Sequence, residues 1–252
     1  MRCELMINTE VNKNIKAYKD TWESEGFLCI DNFLDETSAY FLHSFLTKKI
    51  SEEWWSIKLR AHEEGNQINE SHLYNRKNKK RIEDTLVECQ KAFSKHILSY
   101  AFDEIDSHWD QCMCLLCSYK NFLKDNVFKS FMHSITNEEY KLIRDSSYKT
   151  TRYLTGHFLS PHEDETRFCE DVSMLLSLTK DWLPAYGGNL QITTKDQTQL
   201  KQSIVPGYNK LVLINNKNKN LLHSVTHVAP FVRKARYTLS ARLAAQTESP
   251  VL

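Results

Sequence analysis

The chain has 252 residues, of which 41% are hydrophobic and 26% charged, and its formal net charge is +1. This balance is that of an ordinary globular protein, and it offers no global attraction for nucleic acid or a membrane surface, so neither is expected as a partner. The apolar runs are too short to span a bilayer, and the first residues lack the apolar stretch of a secretory signal.

The first fifty residues predict two helices with a short strand between them. One helix is predicted over residues 11–25, because apolar side chains recur there at helical spacing and Gly26 follows. The next is predicted from Asp35, a capping residue, to residue 50. The apolar run at residues 27–30, bounded by turn residues, is typical of a strand.

The rest of the N-terminal half also predicts helices, after one long polar segment. Residues 51–81 end in a basic run, and we interpret this segment as a solvated loop and a candidate lid. The longest helical pattern then covers residues 82–105. Two shorter helices are predicted at residues 111–123 and 137–143.

The cysteines indicate a reducing compartment. There are seven, an odd number scattered along the chain, which favours reduced thiols and a cytoplasmic location. Cys112, Cys114 and Cys117 form a C-x-C-x-x-C cluster that could bind zinc or act in redox chemistry. A structural zinc site needs a fourth ligand in a second pair, and none is evident. We therefore interpret the three as buried free cysteines in an apolar helix.

The composition changes near Asp145 from helix-like to strand-like. Residues 1–144 are therefore expected to be a mainly helical support with a possible substrate lid, and residues 145–252 the core, within one integrated domain. About eight short strands separated by turns predict an α+β fold whose core is a double-stranded β-helix of the jelly-roll or cupin kind. The predicted strands are 149–154, 158–159, 172–178, 189–193, 203–206, 210–214, 221–228 and 236–243.

The sequence His162-Glu163-Asp164 is the first candidate for a metal site. Side chains alternate along an extended segment, so His162 and Asp164 share a face. They supply two of the three ligands of the 2-His-1-carboxylate triad that holds non-haem Fe(II). A second H-x-D, at His108 and Asp110, has no strand signal around it, and we interpret it as a surface or helix-start element.

The third ligand has two candidates, His223 and His227. Four residues apart on a strand, they face the same way but lie about 13 Å from each other, so only one can meet the metal. The other is then a core or surface histidine.

Arg236 is the candidate anion-binding residue, because it opens a predicted barrel strand. A guanidinium inside a barrel needs an anionic partner, which a dicarboxylate could provide, and Thr238 on the same face could add a hydroxyl. The alternative is a surface arginine paired with Asp or Glu, as we expect for Arg233 and Arg242.

The order of these motifs resembles a known family. Over residues 145–245 the motifs occur in the order Tyr153 on a strand, H-x-D, K-D-W, G-G-N-L, L-V-L-I, H-S-V and R-Y-T-L-S. This order resembles that of the Fe(II)/2-oxoglutarate-dependent dioxygenases, most closely the prolyl-hydroxylase branch. The resemblance implies that His162, Asp164 and His223 are the catalytic iron ligands.

The resemblance also implies that Arg236 and Tyr153 bind 2-oxoglutarate. H-S-V is similar to the family's H-x-V, which favours His223 over His227, although the interval from His227 to Arg236 is nearer the family's usual length.

The implied activity uses Fe(II), 2-oxoglutarate and O2, with ascorbate as an accessory reductant. It would hydroxylate an unactivated C–H bond of an amino-acid-type substrate and release succinate and CO2. The substrate could be a prolyl or other residue in a protein or peptide, or a free amino acid or small metabolite. Two alternatives stay open. One is a non-catalytic jelly-roll module that binds a small anion, and the other is a cupin-type metal enzyme that does not use 2-oxoglutarate.

Overall fold

The computed structural model describes residues 4–63, 66–68, 79–105, 114–142, 148–164, 171–218 and 220–246. Its helices are α1 (Thr9–Asn12), α2 (Ile15–Glu25), α3 (Glu36–Lys48), α4 (Lys79–Ser94), α5 (Leu115–Phe122) and α6 (Asn126–Thr136). Its strands in the first half are β1 (Phe27–Asp31), β2 (Ser56–Glu63), β3 (Asn66–Ile68), β4 (Ser99–Ile105) and β5 (Tyr140–Leu142). Those in the second half are β6 (Tyr148–Tyr153), β7 (Phe158–His162), β8 (Val172–Leu178), β9 (Leu190–Thr194), β10 (Leu200–Ile204), β11 (Tyr208–Asn215), β12 (Leu221–Val225) and β13 (Arg236–Ala245).

These strands form one curled antiparallel sheet in the order β1-β11-β8-β13-β6-β4-β7-β12-β9-β10, with β2 and β3 attached to β4, and β5 attached to β13. Strand β4 connects the two halves of this sheet. Its residues 103–105 pair with β6, and its residues 100–101 pair with β7. The predicted α+β fold with a double-stranded β-helix core is confirmed.

The helices cover the outer face of the sheet. Leu239, Ala241 and Leu243 of β13 are buried in one large cluster with side chains of α3, α5 and α6. Because side chains alternate along a strand, Arg236 and Thr238 lie on the opposite, inner face of β13. A second apolar cluster fills this inner side, with members such as Phe102, Ile192 and Val212. No helix among the described residues is long and apolar enough to cross a membrane.

The first elements follow the sequence signals closely. Helix α2 ends at Gly26, which adopts the left-handed conformation with φ 74° and donates its backbone N–H to Trp22 O. Helix α3 begins after Asp35, whose carboxylate accepts the backbone N–H of Ser38 at 2.6 Å. Both are standard ways to satisfy helix ends. The predicted helix that begins after Asp35 is confirmed, whereas the helix predicted over residues 11–25 begins only at Ile15, because a turn at Lys13 and Asn14 separates it from the short α1.

The interpretation of residues 51–81 as a loop is wrong in its middle, where β2 and β3 form a hairpin. Ile57 and Leu59 of β2 are buried beside α4 and alternate with the half-buried Lys58 and Arg60, which is the period-two pattern of a strand that the loop interpretation overlooked. Residues 69–78 lie outside the described part of the chain, and α4 begins within the basic run at Lys79.

Two predicted helices are also corrected. The helix over residues 82–105 stops at Ser94, because His96 takes a left-handed conformation with φ 59°, and residues 99–105 form β4. Residues 137–142, the described part of the predicted helix 137–143, are not helical either. Asn137, with φ 57°, is the left-handed cap of α6, and residues 140–142 form β5.

The predicted helix 111–123 is found as α5, with residues 111–113, including Cys112, outside the described residues. The sulfurs of Cys114 and Cys117 lie 3.7 Å apart. Both are half-buried and contact apolar neighbours or each other, as expected for cysteines that serve as small hydrophobes.

Arg152 of β6 ties the short turn at Glu52–Trp54 to the outside of the barrel. Its Nε donates to Asp103 at 2.6 Å, and its Nη1 and Nη2 donate to the two carboxylate oxygens of Glu52 at 2.7 and 2.6 Å. The guanidinium also lies 4.5 Å from the centre of the Trp55 ring. This cluster fixes the base of the β2–β3 hairpin.

The two acidic partners of Arg152 should differ in their effect on stability. Asp103 is fully buried, so Asp103→Ala takes away the buried counter-charge and should lower the free energy of unfolding by about 3–5 kcal/mol. Glu52 is 71% exposed, so Glu52→Ala should cost about 1 kcal/mol or less. Urea unfolding of both variants measures the difference, and equal losses would contradict it.

Candidate active site

Strand pairing brings His162, Asp164 and His223 together. His162 is the last residue of β7, and His223 in β12 is its direct partner across the ladder. Asp164 follows two residues after His162. Its Oδ1 lies 3.6 Å from His162 Nε2, and its Oδ2 lies 3.5 Å from His223 Nε2. One ligand atom from each residue lies within 4.8 Å of the others, so these three side chains could hold one metal ion.

The protonation states of His223 and Asp164 favour the binding of a metal cation. Burial, helped by the neighbouring His162, lowers the pKa of His223 to about 3, so its imidazole is neutral and has a free lone pair. Burial alone would raise the pKa of Asp164, but Arg242 and the two histidines outweigh it and hold that pKa well below its usual value. A neutral imidazole and an ionised carboxylate are the forms that bind metal.

The Asp164 carboxylate has further partners that the sequence interpretation missed. Arg242 Nη2 donates to Oδ1 at 2.6 Å, and the Ser173 hydroxyl donates to Oδ2. Asn216 Nδ2 in turn donates to Ser173 Oγ at 2.9 Å. Arg242 was expected to be a surface arginine with an acidic partner. It has such a partner, but that partner is Asp164 on the inner face.

A signal for Arg242 was present in the sequence. It lies six residues after Arg236 on one strand, and an even spacing places both on the same face. For Ser173 and Asn216 no comparable signal exists, because β8 and the end of β11 meet only through sheet pairing.

His227 does not join the three-residue cluster. Its ring stacks on Phe158, with centroids 4.2 Å apart, and meets the edge of Phe93 at 4.9 Å. The expectation that His223 and His227 share one strand fails because β12 ends at Val225. His227 lies in the following loop, where its carbonyl oxygen sits so close to Gly187 that a β-carbon there would be 2.0 Å away.

Arg236 lies at the start of β13, buried on the inner face. Its Nε and Nη1 have no hydrogen-bond partner among the described residues. The hydroxyls of Thr238 and Ser177, which face each other across β13 and β8, are also buried and without such a partner. Tyr153, the ladder partner of Arg236, places its ring 4.8 Å from the guanidinium.

These groups suit the binding of an anion. A buried guanidinium is costly without a counter-charge, and burial lowers the pKa of Arg236. The guanidinium and the two hydroxyls are hydrogen-bond donors, which a carboxylate would satisfy. The donor set therefore fits the distal carboxylate of a dicarboxylic acid.

The remaining sequence-predicted positions are placed as follows. Tyr153 contacts Arg236 through its ring face, and burial raises the pKa of its hydroxyl to about 12, so the tyrosine is neutral. Gly188 has φ 64°, and a β-carbon there would lie 3.1 Å from Val228 Cγ2 and 3.3 Å from Trp182 Cζ2, so the turn favours glycine. His108 and Asp110 lie outside the described residues.

Comparison of sequences agrees with this geometry. The profile of the 2OG-Fe(II) oxygenase superfamily matches residues 148–244, which run from β6 to β13 and contain all three members of the metal cluster and Arg236. The comparison with curated proteins gives no match.

Solved structures resemble the chain over most of its length. A prolyl-4-hydroxylase from Pseudomonas putida aligns with 92% of this chain and 100% of its own, at 16% identity and a TM-score of 0.55. A prolyl hydroxylase from Trichoplax adhaerens, in complex with a hypoxia inducible factor oxygen degradation domain peptide fragment, aligns over 94% and 93%, at 16% identity and a TM-score of 0.59.

A 2OG-Fe(II) oxygenase family oxidoreductase from Burkholderia pseudomallei aligns over 96% of this chain and 95% of its own, at 12% identity and a TM-score of 0.61. At these identities the likeness establishes a shared fold, the double-stranded β-helix.

The two histidines of the H-S-V-T-H segment provide a matched test of the metal cluster. His223→Ala removes a member of the cluster and should abolish stoichiometric Co(II) or Fe(II) binding, because two ligands hold a divalent ion far less well than three. His227→Ala removes a ring that packs on Phe158 and should keep metal binding while losing some stability. Metal titration by calorimetry measures both, and the reverse result would place His227 in the site.

Proposed function

We propose that this chain is a member of the 2OG-Fe(II) oxygenase superfamily, whose profile matches residues 148–244, and that it uses Fe(II), 2-oxoglutarate and O2 to hydroxylate an unactivated C–H bond of an amino-acid-type substrate. The observation that carries the proposal is a pair of features on the inner face of the barrel. A His-Asp-His cluster lies at one end of this face, and at the other end lies the buried Arg236, whose Nε and Nη1 have no hydrogen-bond partner among the described residues.

The metal-binding role is assigned to His162, Asp164 and His223. Two imidazoles and one carboxylate could hold an ion and would leave coordination positions for other ligands. The Asp164 carboxylate would also occupy the coordination position that a halide would need, which favours hydroxylation over halogenation.

The co-substrate role is assigned to Arg236, Thr238 and Tyr153. The guanidinium would pair with the far carboxylate of 2-oxoglutarate, Thr238 and the neighbouring Ser177 would add hydroxyl donors, and the Tyr153 ring would hold the guanidinium in place. When bound, Fe(II) and 2-oxoglutarate activate O2, with oxidative decarboxylation to succinate and CO2 and delivery of one oxygen atom to a C–H bond. Apolar walls such as Ile192 and Val212 exclude bulk water.

Prolyl residues in a peptide are the first substrate class to test. Two of the structures with the same fold are prolyl hydroxylases, and one of them was solved with a peptide fragment. A free amino acid or small metabolite is the second class. The β2–β3 hairpin, attached to the outer edge of β4, is our candidate for a substrate-contacting element.

The cytoplasm is the proposed location. Cys29 and Cys89 are free thiols, as expected of a protein kept in a reducing compartment. Ascorbate is proposed as an accessory reductant that keeps the iron in its ferrous state.

Turnover should require both Fe(II) and 2-oxoglutarate. We expect O2 uptake and succinate release when both are present, and neither signal when one is omitted. Asp164→Ala should abolish both signals in a protein that still folds, because the cluster loses its only carboxylate. Metal-dependent O2 uptake without 2-oxoglutarate would instead indicate a cupin-type metal enzyme. Binding of 2-oxoglutarate without any turnover would indicate a non-catalytic module.

Arg236 provides the test of the co-substrate role. Charge-assisted hydrogen bonds are worth roughly 1.5–3 kcal/mol, and about 1.4 kcal/mol corresponds to a tenfold change in binding. Arg236→Ala should therefore raise the 2-oxoglutarate concentration needed for half-maximal succinate release by about a hundredfold, with metal affinity little changed. Arg236→Lys should have a smaller effect, since it keeps the charge but loses the planar fork.

The matched control is Arg233→Ala, because Arg233 is exposed and donates to the carbonyl of Pro230. If Arg236→Ala keeps its affinity for 2-oxoglutarate and only loses stability, Arg236 has a structural role.

A further inference from the structure

We propose that Arg242 is a positioning residue, which acts with Ser173 to hold the Asp164 carboxylate in the orientation that binds the metal. The inference rests on the proposed metal role of Asp164 and extends it to two residues outside the ligand set. Arg242 and Ser173 belong to neighbouring strands, β13 and β8, and are direct partners across the ladder. They therefore reach Asp164 from the same side.

Each carboxylate oxygen of Asp164 has one hydrogen-bond donor and one histidine nitrogen near it. Oδ1 accepts from Arg242 Nη2 at 2.6 Å and lies 3.6 Å from His162 Nε2. Oδ2 accepts from the Ser173 hydroxyl and lies 3.5 Å from His223 Nε2. A carboxylate oxygen has two lone-pair sites. Because each oxygen uses one site to accept from Arg242 or Ser173, its second lone pair faces the histidines.

The holding side chains are themselves fixed. The Ser173 side chain is fully buried and lies between Asp164 and Asn216, whose amide nitrogen donates to Ser173 Oγ at 2.9 Å. Arg242 is 25% exposed on its side chain, so its long stem is largely packed and its guanidinium has few other orientations. The carboxylate is thus supported by one half of the barrel, while the histidines come from the other half.

Charge compensation alone does not account for this arrangement. Arg242 could neutralise a buried carboxylate from many directions, and no second donor would be needed. Ser173 is neutral and adds no counter-charge, yet it holds the second oxygen and is fixed in turn by Asn216. Two donors on two oxygens define an orientation, which is what a metal ligand requires.

Metal affinity, read without turnover, tests the inference. We expect Arg242→Met to weaken Co(II) binding at least tenfold, the usual loss when an outer-shell partner of a ligand is removed. It should also change the visible d–d absorption of the bound Co(II), which depends on ligand geometry. Arg242→Lys should recover part of the affinity, because one donor survives without the planar fork. Ser173→Ala should weaken binding in the same direction.

The controls separate this inference from the proposed function. Arg233→Met, at an exposed arginine in the preceding loop, should bind Co(II) as the unaltered protein does. If the unaltered protein binds no Co(II), the metal role of the cluster itself is wrong. If it binds Co(II) and the Arg242 and Ser173 variants bind equally well or more tightly, the positioning role is wrong.

Two further results would decide the matter. A higher half-saturating concentration of 2-oxoglutarate with unchanged Co(II) affinity would make Arg242 a co-substrate ligand and overturn the proposal. If Arg242→Met does not fold, as judged by circular dichroism of the metal-free protein, Arg242→Lys and Ser173→Ala carry the test, and unchanged affinity in both would overturn it.

Discussion

The site depends on the pairing of β12 with β7, which sets His223 directly opposite His162. The two imidazole centroids are then 4.2 Å apart, and Asp164, two residues beyond His162, meets both rings. Side chains alternate with a period of two, so a slip of one residue in this pairing would turn His223 to the outer face. Pairing of β12 with β9 on its other edge, through five partners from Leu221 to Val225, fixes the same register.

The inner face of β13 connects the two ends of the site. Arg236 at its start has no counter-charge among the described residues, whereas Arg242 near its end pairs with Asp164. The two arginines are six residues apart, about 20 Å along the strand. Both are arginines, but among the described residues Arg242 pairs with the carboxylate of Asp164, whereas Arg236 Nε and Nη1 have no hydrogen-bond partner.

The N-terminal half contributes more than support. Strand β1 pairs with β11 and brings Phe27 and Cys29 against the inner apolar cluster. Strand β4 pairs with both β6 and β7 and places Phe102 against Tyr153, at a ring separation of 5.6 Å. Tyr153 in turn lies under the Arg236 guanidinium. The wall behind Arg236 is therefore built partly by residues that precede the predicted core.

The sequence by itself determined the local features of this protein. Gly26 and Asp35 marked helix ends, mostly apolar runs such as residues 172–178 marked buried strands, and His162-x-Asp164 marked a shared face. Each of these depends on neighbours within a few residues, where propensity, capping and alternation act directly.

Only the tertiary structure decided the features that join distant segments. Residues 99–105 continue a helical pattern in sequence, and they form a strand because β2, β6 and β7 offer them backbone partners. His223 rather than His227 meets Asp164 because β12 ends at Val225, and Arg242 meets Asp164 because β13 crosses beside it. Spacing along the chain can place a side chain on a face, as it does for Arg242, but it does not say which distant residue lies opposite, because sheet register and long-range burial set that contact.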